Sequence, residues 1–179
     1  MGETRITGGR YKGLKLKTAD FLRPTMAFVR QALFNVVDVG GKSFLDLFCG
    51  SCVVSAEAIS RGAREVVAVD NSKRAVRLCD ENLRKLSEGI YRILHMDCVD
   101  YLESVERTFD VIFMDPPYAS TDLAERVLRL LPRAMEKGSL AILEKSKREG
   151  LVVPDELEVV EVKEYGETQL VFLRVKGWR

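Results

Sequence analysis

The chain has 179 residues, 46% of them hydrophobic and 31% charged, and its net charge is +1 at neutral pH. A chain of this size and balance buries roughly two thirds of its surface and folds as one domain without staples. The start "MGETRITGG" is polar where a signal peptide would carry an apolar core, and no apolar run approaches the roughly 18 residues of a membrane span, so a soluble cytoplasmic protein is expected.

Residues 1 to 23 carry Arg5, Arg10, Lys12, Lys15, Lys17 and Arg23 against Glu3 and Asp20, six basic residues against two acidic ones, a local charge of +4. Such an arm is either a polyanion contact or a solvated basic strand edge. "RITGGRYKGLKLKT" has the texture of short twisted strands with glycine punctuation. "TMAFVRQALFNVV" has helical apolar spacing, with Thr25 after Pro24 as the expected cap. Residues 1 to 42 thus read as an N-terminal strand and helix appendage on a core of residues 43 to 179.

From Ser43 onward, short β-branched runs alternate with amphipathic helical runs, the pattern of a mostly parallel, doubly wound α/β sheet. The predicted strands cover residues 43–48, 65–70, 91–97, 109–115 and 139–145. One helix is predicted from Ser51 to Gly62. A second is capped by Ser72, with Ala75, Val76, Cys79, Leu83 and Leu86 on one face, and ends near Gly89; a third follows Thr121 until Pro132 disturbs it. "LEVVEVKEYGETQLVFLRVKG" is two alternating runs about a short turn, a hairpin adding antiparallel strands to the sheet edge. There is no internal repeat.

Ligands of open parallel sheets bind beyond the carboxyl ends of the strands, where strand order reverses. "FLDLFCGSC" (residues 44–52) is the first such strand and its turn. Gly50 lets the backbone approach a ligand, and the helix that follows offers unpaired N–H groups. Asp70, 20 residues further on, ends the second strand at the position from which a carboxylate reaches both ribose hydroxyls; Asp97 ends the third. The fingerprint G-x-G-x-x-G is not met, since Cys52 and Ser55 stand where its later glycines would be. Asp46 would repel phosphate and suit an ammonium group. Together these features point to S-adenosylmethionine rather than a pyrophosphate cofactor.

Cys49 and Cys52 form a CxxC at a helix start, a spacing used in redox and metal sites. No second pair or histidine cluster completes a zinc site, and the one histidine, His95, lies in an apolar strand. All four cysteines therefore read as reduced, buried small hydrophobes, and no metal site is expected. Residues 109–120, "FDVIFMDPPYAS", end the fourth strand at the same crevice. Two prolines could merely stop a strand, but they also fix φ so that the Asp115 carboxylate and Pro116 carbonyl can point at one acceptor. Two oxygen acceptors on an exocyclic amine would activate its lone pair for methylation, and Tyr118 would stack on the base.

The segments "RITGGRYKG", "LRPT", "VRQALFN", "LDLFCGS", "DPPY" and "YGETQL", in this order, resemble the RsmD family of bacterial small-subunit ribosomal RNA guanine-N2 methyltransferases, within the Rossmann-like class I methyltransferases. The resemblance implies that Asp46, Phe48, Gly50 and Ser51 form the cofactor loop and Asp70 holds the ribose. It further implies that Asp97 and Cys98 meet the adenine, that Arg23, Pro24 and Thr25 approach the methionine end, and that Asp115, Pro116, Pro117 and Tyr118 hold the target base. The candidate RNA contacts are Arg5, Arg10, Lys12 and Lys15 of the arm, with Arg30 of "VRQALFN". The expected partner is small-subunit ribosomal RNA, naked or in an assembling particle, and the expected state is a monomer. Two departures stand out. Cys52 replaces the family's second glycine, which is tolerable if its φ is negative, and "MAF" at 26–28 lacks the family's charges. Adenine-N6 methylation of RNA or DNA, and a non-catalytic nucleic-acid-binding module, remain the competing readings, since "DPPY" is shared with adenine-N6 enzymes.

Overall fold

The computed structural model describes residues 1–22, 25–86, 90–117 and 121–177. The arm forms an antiparallel pair, β1 (Gly2–Arg5) with β2 (Lys15–Thr18), followed by helix α1 (Ala27–Val36). The rest alternates: β3 (Ser43–Leu47), α2 (Val53–Ser60), β4 (Glu65–Asp70), α3 (Lys73–Leu83), β5 (Ile90–His95), α4 (Cys98–Ser104), β6 (Val111–Met114) and α5 (Thr121–Leu130). A short 3-10 turn around Pro132 leads to β7 (Leu140–Ser146) and the hairpin β8 (Leu157–Tyr165) and β9 (Thr168–Val175).

Seven strands make one sheet in the order β5-β4-β3-β6-β7-β9-β8, parallel from β5 to β7 and antiparallel beyond. Chain order runs outward from β3 in both directions, so β3 and β6 flank the switch point. β3 is buried at every position because helices cover both faces. Its residues alternate between two cores: Phe44 joins a cluster with Val29, Leu33 and Ala56, whereas Leu45 and Leu47 join Val99, Val127 and Leu128 on the other face.

The expected helix starts are partly borne out. Ser72 caps α3, its hydroxyl accepting from the Ala75 N–H at 3.2 Å. Thr25 does not cap α1: Met26 occupies that position without a side-chain bond, and the Thr25 hydroxyl donates instead to Glu144 at 2.9 Å. α2 begins at Val53, two residues later than the sequence suggests, because the loop before it is used up by tight turns. Helix α4 has no counterpart among the predicted elements; it is short, and its Asp97 cap accepts from the Val99 and Asp100 N–H groups. The expected end of α3 near Gly89 lies outside the described residues.

Candidate active site

A cavity of about 360 Å³ opens at the carboxyl ends of β3, β4 and β6. It brings together Thr25, Asp46, Phe48, Gly50, Ser51 and Asp70 of the expected cofactor set. Asp115, Pro116 and Pro117 form its other wall, Pro116 buried and Pro117 exposed. Arg23, Pro24 and Tyr118 lie outside the described residues. Asp97 and Cys98 do not line the cavity. Asp97 caps α4 through one carboxylate oxygen, while the buried Cys98 thiol accepts from the Phe48 N–H at 3.3 Å, shaping the loop from behind.

The loop from Phe48 to Cys52 turns three times through the left-handed region, with φ of 60° at Phe48, 56° at Gly50 and 64° at Cys52. At Gly50 the conformation, not crowding, favours glycine: an added Cβ would come no closer than 3.8 Å to any neighbour, the Leu22 side chain. At Cys52 the condition of a negative φ is not met. A cysteine there carries left-handed strain that a glycine would not.

Asp70 fastens this loop to the sheet. One carboxylate oxygen accepts from the Gly50 N–H and the other from the Ser72 N–H, both at 2.9 Å. Asp46 is 1% exposed and accepts from the Ser55 hydroxyl at 2.6 Å. Burial raises its pKa from 3.8 to about 7, against the Ser55 hydrogen bond and with help from the Asp70 charge. A carboxylate in this position wants a cation.

The reading of all four cysteines as reduced is also corrected: Cys52 and Cys79 are joined as a disulfide between the loop and α3. Cys49 and Cys98 are free and buried. Burial pushes the Cys49 thiol well above its ordinary value and that of Cys98 to about 12, so neither is an activated nucleophile. Cys49, Cys52 and Cys79 have their sulfurs within 4.8 Å of one another. His95 is exposed and meets the Asn71 carbonyl.

Arg30 is the clearest correction among the RNA candidates. Its side chain is fully buried, donating to the carbonyls of Thr25 and Arg5, each at 2.7 Å, to the Thr4 hydroxyl and to Glu57. It cannot meet a phosphate. Arg5, Arg10, Lys12 and Lys15 are exposed; Arg5 reaches back to the Gly13 carbonyl, and Lys15 stands 3.9 Å from Glu3.

Three further residues organise the site. Glu57, buried in α2, accepts from the N–H groups of Thr7 and Gly8 and from Arg61, fixing the arm to the helix that follows the glycine loop. Its signal was a lone charge in the apolar run "VVSAEAIS". Asn82 of α3 donates to the carbonyls of Ser51 and Lys17 and accepts from the Lys17 N–H, tying β2 to the loop. In sequence it hides between Glu81 and Arg84. Glu144 gave no signal beyond an acid at the end of a strand.

A sheet of this order with an antiparallel final hairpin, and a cavity walled by a glycine turn, a strand-end acid and a Pro-Pro loop, defines the Rossmann-like methyltransferase class. The fold superposes on a proposed methyltransferase, yhhF, of Escherichia coli with a TM-score of 0.87 at 24% identity, covering 99% of this chain and 100% of that one. It also matches a hypothetical protein of Thermus thermophilus with a TM-score of 0.83 at 33% identity, covering 96% and 99%. Residues 4–174 match the family described as "Conserved hypothetical protein 95". Over 175 residues the chain is 30% identical to ribosomal RNA small subunit methyltransferase D of Haemophilus influenzae, covering 92% of this chain and 90% of that one. The chain belongs to this family, the RsmD family.

Proposed function

We propose that this protein transfers a methyl group from S-adenosylmethionine to the exocyclic N2 amine of a guanine in small-subunit ribosomal RNA, acting in the cytoplasm. The observation that carries the reading is the cavity that joins Asp46 and Asp70 on one wall to Asp115 and Pro116 on the other.

The donor set fits the cofactor. Asp46 supplies the carboxylate whose missing partner is a cation, which suits the ammonium group. Asp70 suits the ribose hydroxyls, and the loop amides around Ser51 suit the carboxylate. When bound, the cofactor supplies an electrophilic methyl group on a cationic sulfur. Asp115 and the Pro116 carbonyl would accept the two amine hydrogens, drawing the nitrogen lone pair out of the ring and stabilising the positive charge that develops. The methylated amine then loses a proton readily, and no strong base is needed. A base within a helix cannot present its amine to this cavity, so the target guanine lies in a loop or is flipped out. The choice of guanine over adenine rests on the whole-chain resemblance, from "RITGGRYKG" at the start to "YGETQL" at the end, while the name of the Haemophilus influenzae relative specifies small-subunit ribosomal RNA.

Nucleoside mass spectrometry of small-subunit RNA incubated with the purified protein and cofactor is the test. N2-methylguanine, abolished in Asp115→Ala while cofactor binding persists, is expected. N6-methyladenine as the main product, or full activity in Asp115→Ala, refutes the reading.

A further inference from the structure

Large apolar side chains on a protein surface cost solvation and, where they gather beside a cavity, mark something that covers them. Three stand close together in the chain at the start of α1: Phe21 at 43% exposure and Met26 at 58% before the helix, and Phe28 at 50% in its first turn. Phe21 lines the cavity together with Leu22 and Thr25, and Met26 and Phe28 follow Thr25 closely in the chain. α1 buries its opposite face through Val29, Arg30, Leu33 and Phe34, which leaves Phe28 in the first turn turned outward.

Outside the carboxylates of the cavity, the charged groups beside this patch are cations. The guanidinium of Arg74, at the start of α3, lies 3.9 Å from the centre of the Phe21 ring, and Lys73 beside it is exposed. The first turn of α1 holds no acidic residue, and Asp20, the neighbouring acid in the chain, is paired with the Met1 amine at 3.5 Å. Aromatic faces beside cations are the means by which proteins hold unstacked bases along a single strand.

We propose that Phe21, Met26 and Phe28 form a stacking platform for an unpaired nucleotide flanking the target base, with Arg74 placed to meet the adjoining backbone. The inference rests on the function proposed above and names how the same site grips its substrate. A flipped or looped target leaves its neighbours partly unstacked, and the platform at the cavity mouth gives one of them a replacement surface. Phe21's place in the cavity lining and the Arg74 guanidinium over its ring commit the patch to RNA.

The test uses the full chain, a fluorescently labelled single-stranded RNA and, in parallel, methylation kinetics. Phe28→Ala and Phe21→Ala should each weaken RNA binding on the order of tenfold or more. Phe28→Trp should restore binding and Phe28→Leu should not, because leucine keeps apolar area but has no π face. The slope of affinity against salt should stay as in the parent, since no phosphate contact is lost. S-adenosylhomocysteine binding to Phe28→Ala should be unchanged, and in turnover the loss should fall on KM for RNA rather than on kcat. Unchanged RNA affinity in both alanine variants overturns the platform. So does full rescue by leucine, which would indicate a greasy contact suited to a protein partner, or loss of cofactor affinity alone, which would make Phe21 part of the cofactor pocket. Failure of the parent to make N2-methylguanine while these binding effects persist would overturn the proposed reaction and not the platform.

Discussion

Replacing Asp46 with asparagine should separate the stability of the ligand-free protein from its hold on the cofactor. The Asp46 carboxyl titrates at about 7 in the fold against 3.8 for an ordinary aspartate, chiefly because burial disfavours its charged form. A carboxyl whose folded pKa is raised contributes stability that is complete below the unfolded value, near pH 4, and is lost as pH rises through 7. At 1.36 kcal/mol per pH unit, the gap between 3.8 and about 7 amounts to about 4 kcal/mol at alkaline pH. Asp46→Asn keeps an acceptor for Ser55 and removes the charge, so the ligand-free variant should melt higher than the parent at pH 8 and show little difference at pH 4. The cofactor reverses the balance, because its ammonium needs the ionised carboxylate. In the parent, affinity for S-adenosylhomocysteine should fall about tenfold per pH unit below 7, and at pH 6 binding should release about nine tenths of a proton. Calorimetric titrations in buffers of different ionisation enthalpy read both quantities. Affinity that stays flat between pH 5.5 and 7, or an asparagine variant that binds as tightly as the parent, would refute the ammonium role of Asp46.

Arg30→Met leaves Glu57 short of a buried partner and should cost about 3 to 5 kcal/mol by denaturant unfolding, with a loss below 1 kcal/mol contradicting the hub. Gly9→Ala would drive a Cβ to 2.1 Å from the Ser60 carbonyl oxygen at a φ of 79°, so residues 1 to 18 should become readily cleaved by protease while the core resists. Unreduced, denatured protein should titrate two thiols rather than four, and reducing the Cys52–Cys79 link, which spans 27 residues, should lower stability by about 3.5 kcal/mol. Neutralising Arg10 and Lys12 together should flatten the salt dependence of single-stranded RNA binding by about 1.4 log units per decade, and an unchanged slope would make the arm a solvated edge.

The sheet was legible because its strands are short, β-branched and punctuated, and because a parallel arrangement needs a helix between each pair. The site was legible where a residue type carries its chemistry in the sequence: Gly50, Asp70 and Asp115 follow strands, and strand ends meet at the switch point. What sequence could not carry was direction. Arg30 looks like any basic residue in a helix next to a basic arm, and only its register with Val29, Leu33 and Phe34 turns it inward. Cys52 could not be seen as left-handed, nor as the partner of Cys79, since that pairing depends on α3 packing against the loop. Asn82 is polar among polar residues, and its role appears only when β2 is laid beside it. Asp97 ends a strand like Asp70, and its added role as the cap of α4 could not be read because that helix is only seven residues long.

The clamps made by Glu57 and Asn82 bear on how this enzyme could be re-engineered. The basic arm is wired into the helix behind the glycine loop through the Thr7 and Gly8 amides, and into the loop's own Ser51 carbonyl through Asn82 and Lys17. An arm transplanted from a relative to redirect this protein toward another RNA would arrive without those sockets unless positions 30, 57 and 82 travelled with it. The arm and the glycine loop are inherited as one piece of hardware, and chimeras cut at residue 42 should be destabilised in both at once.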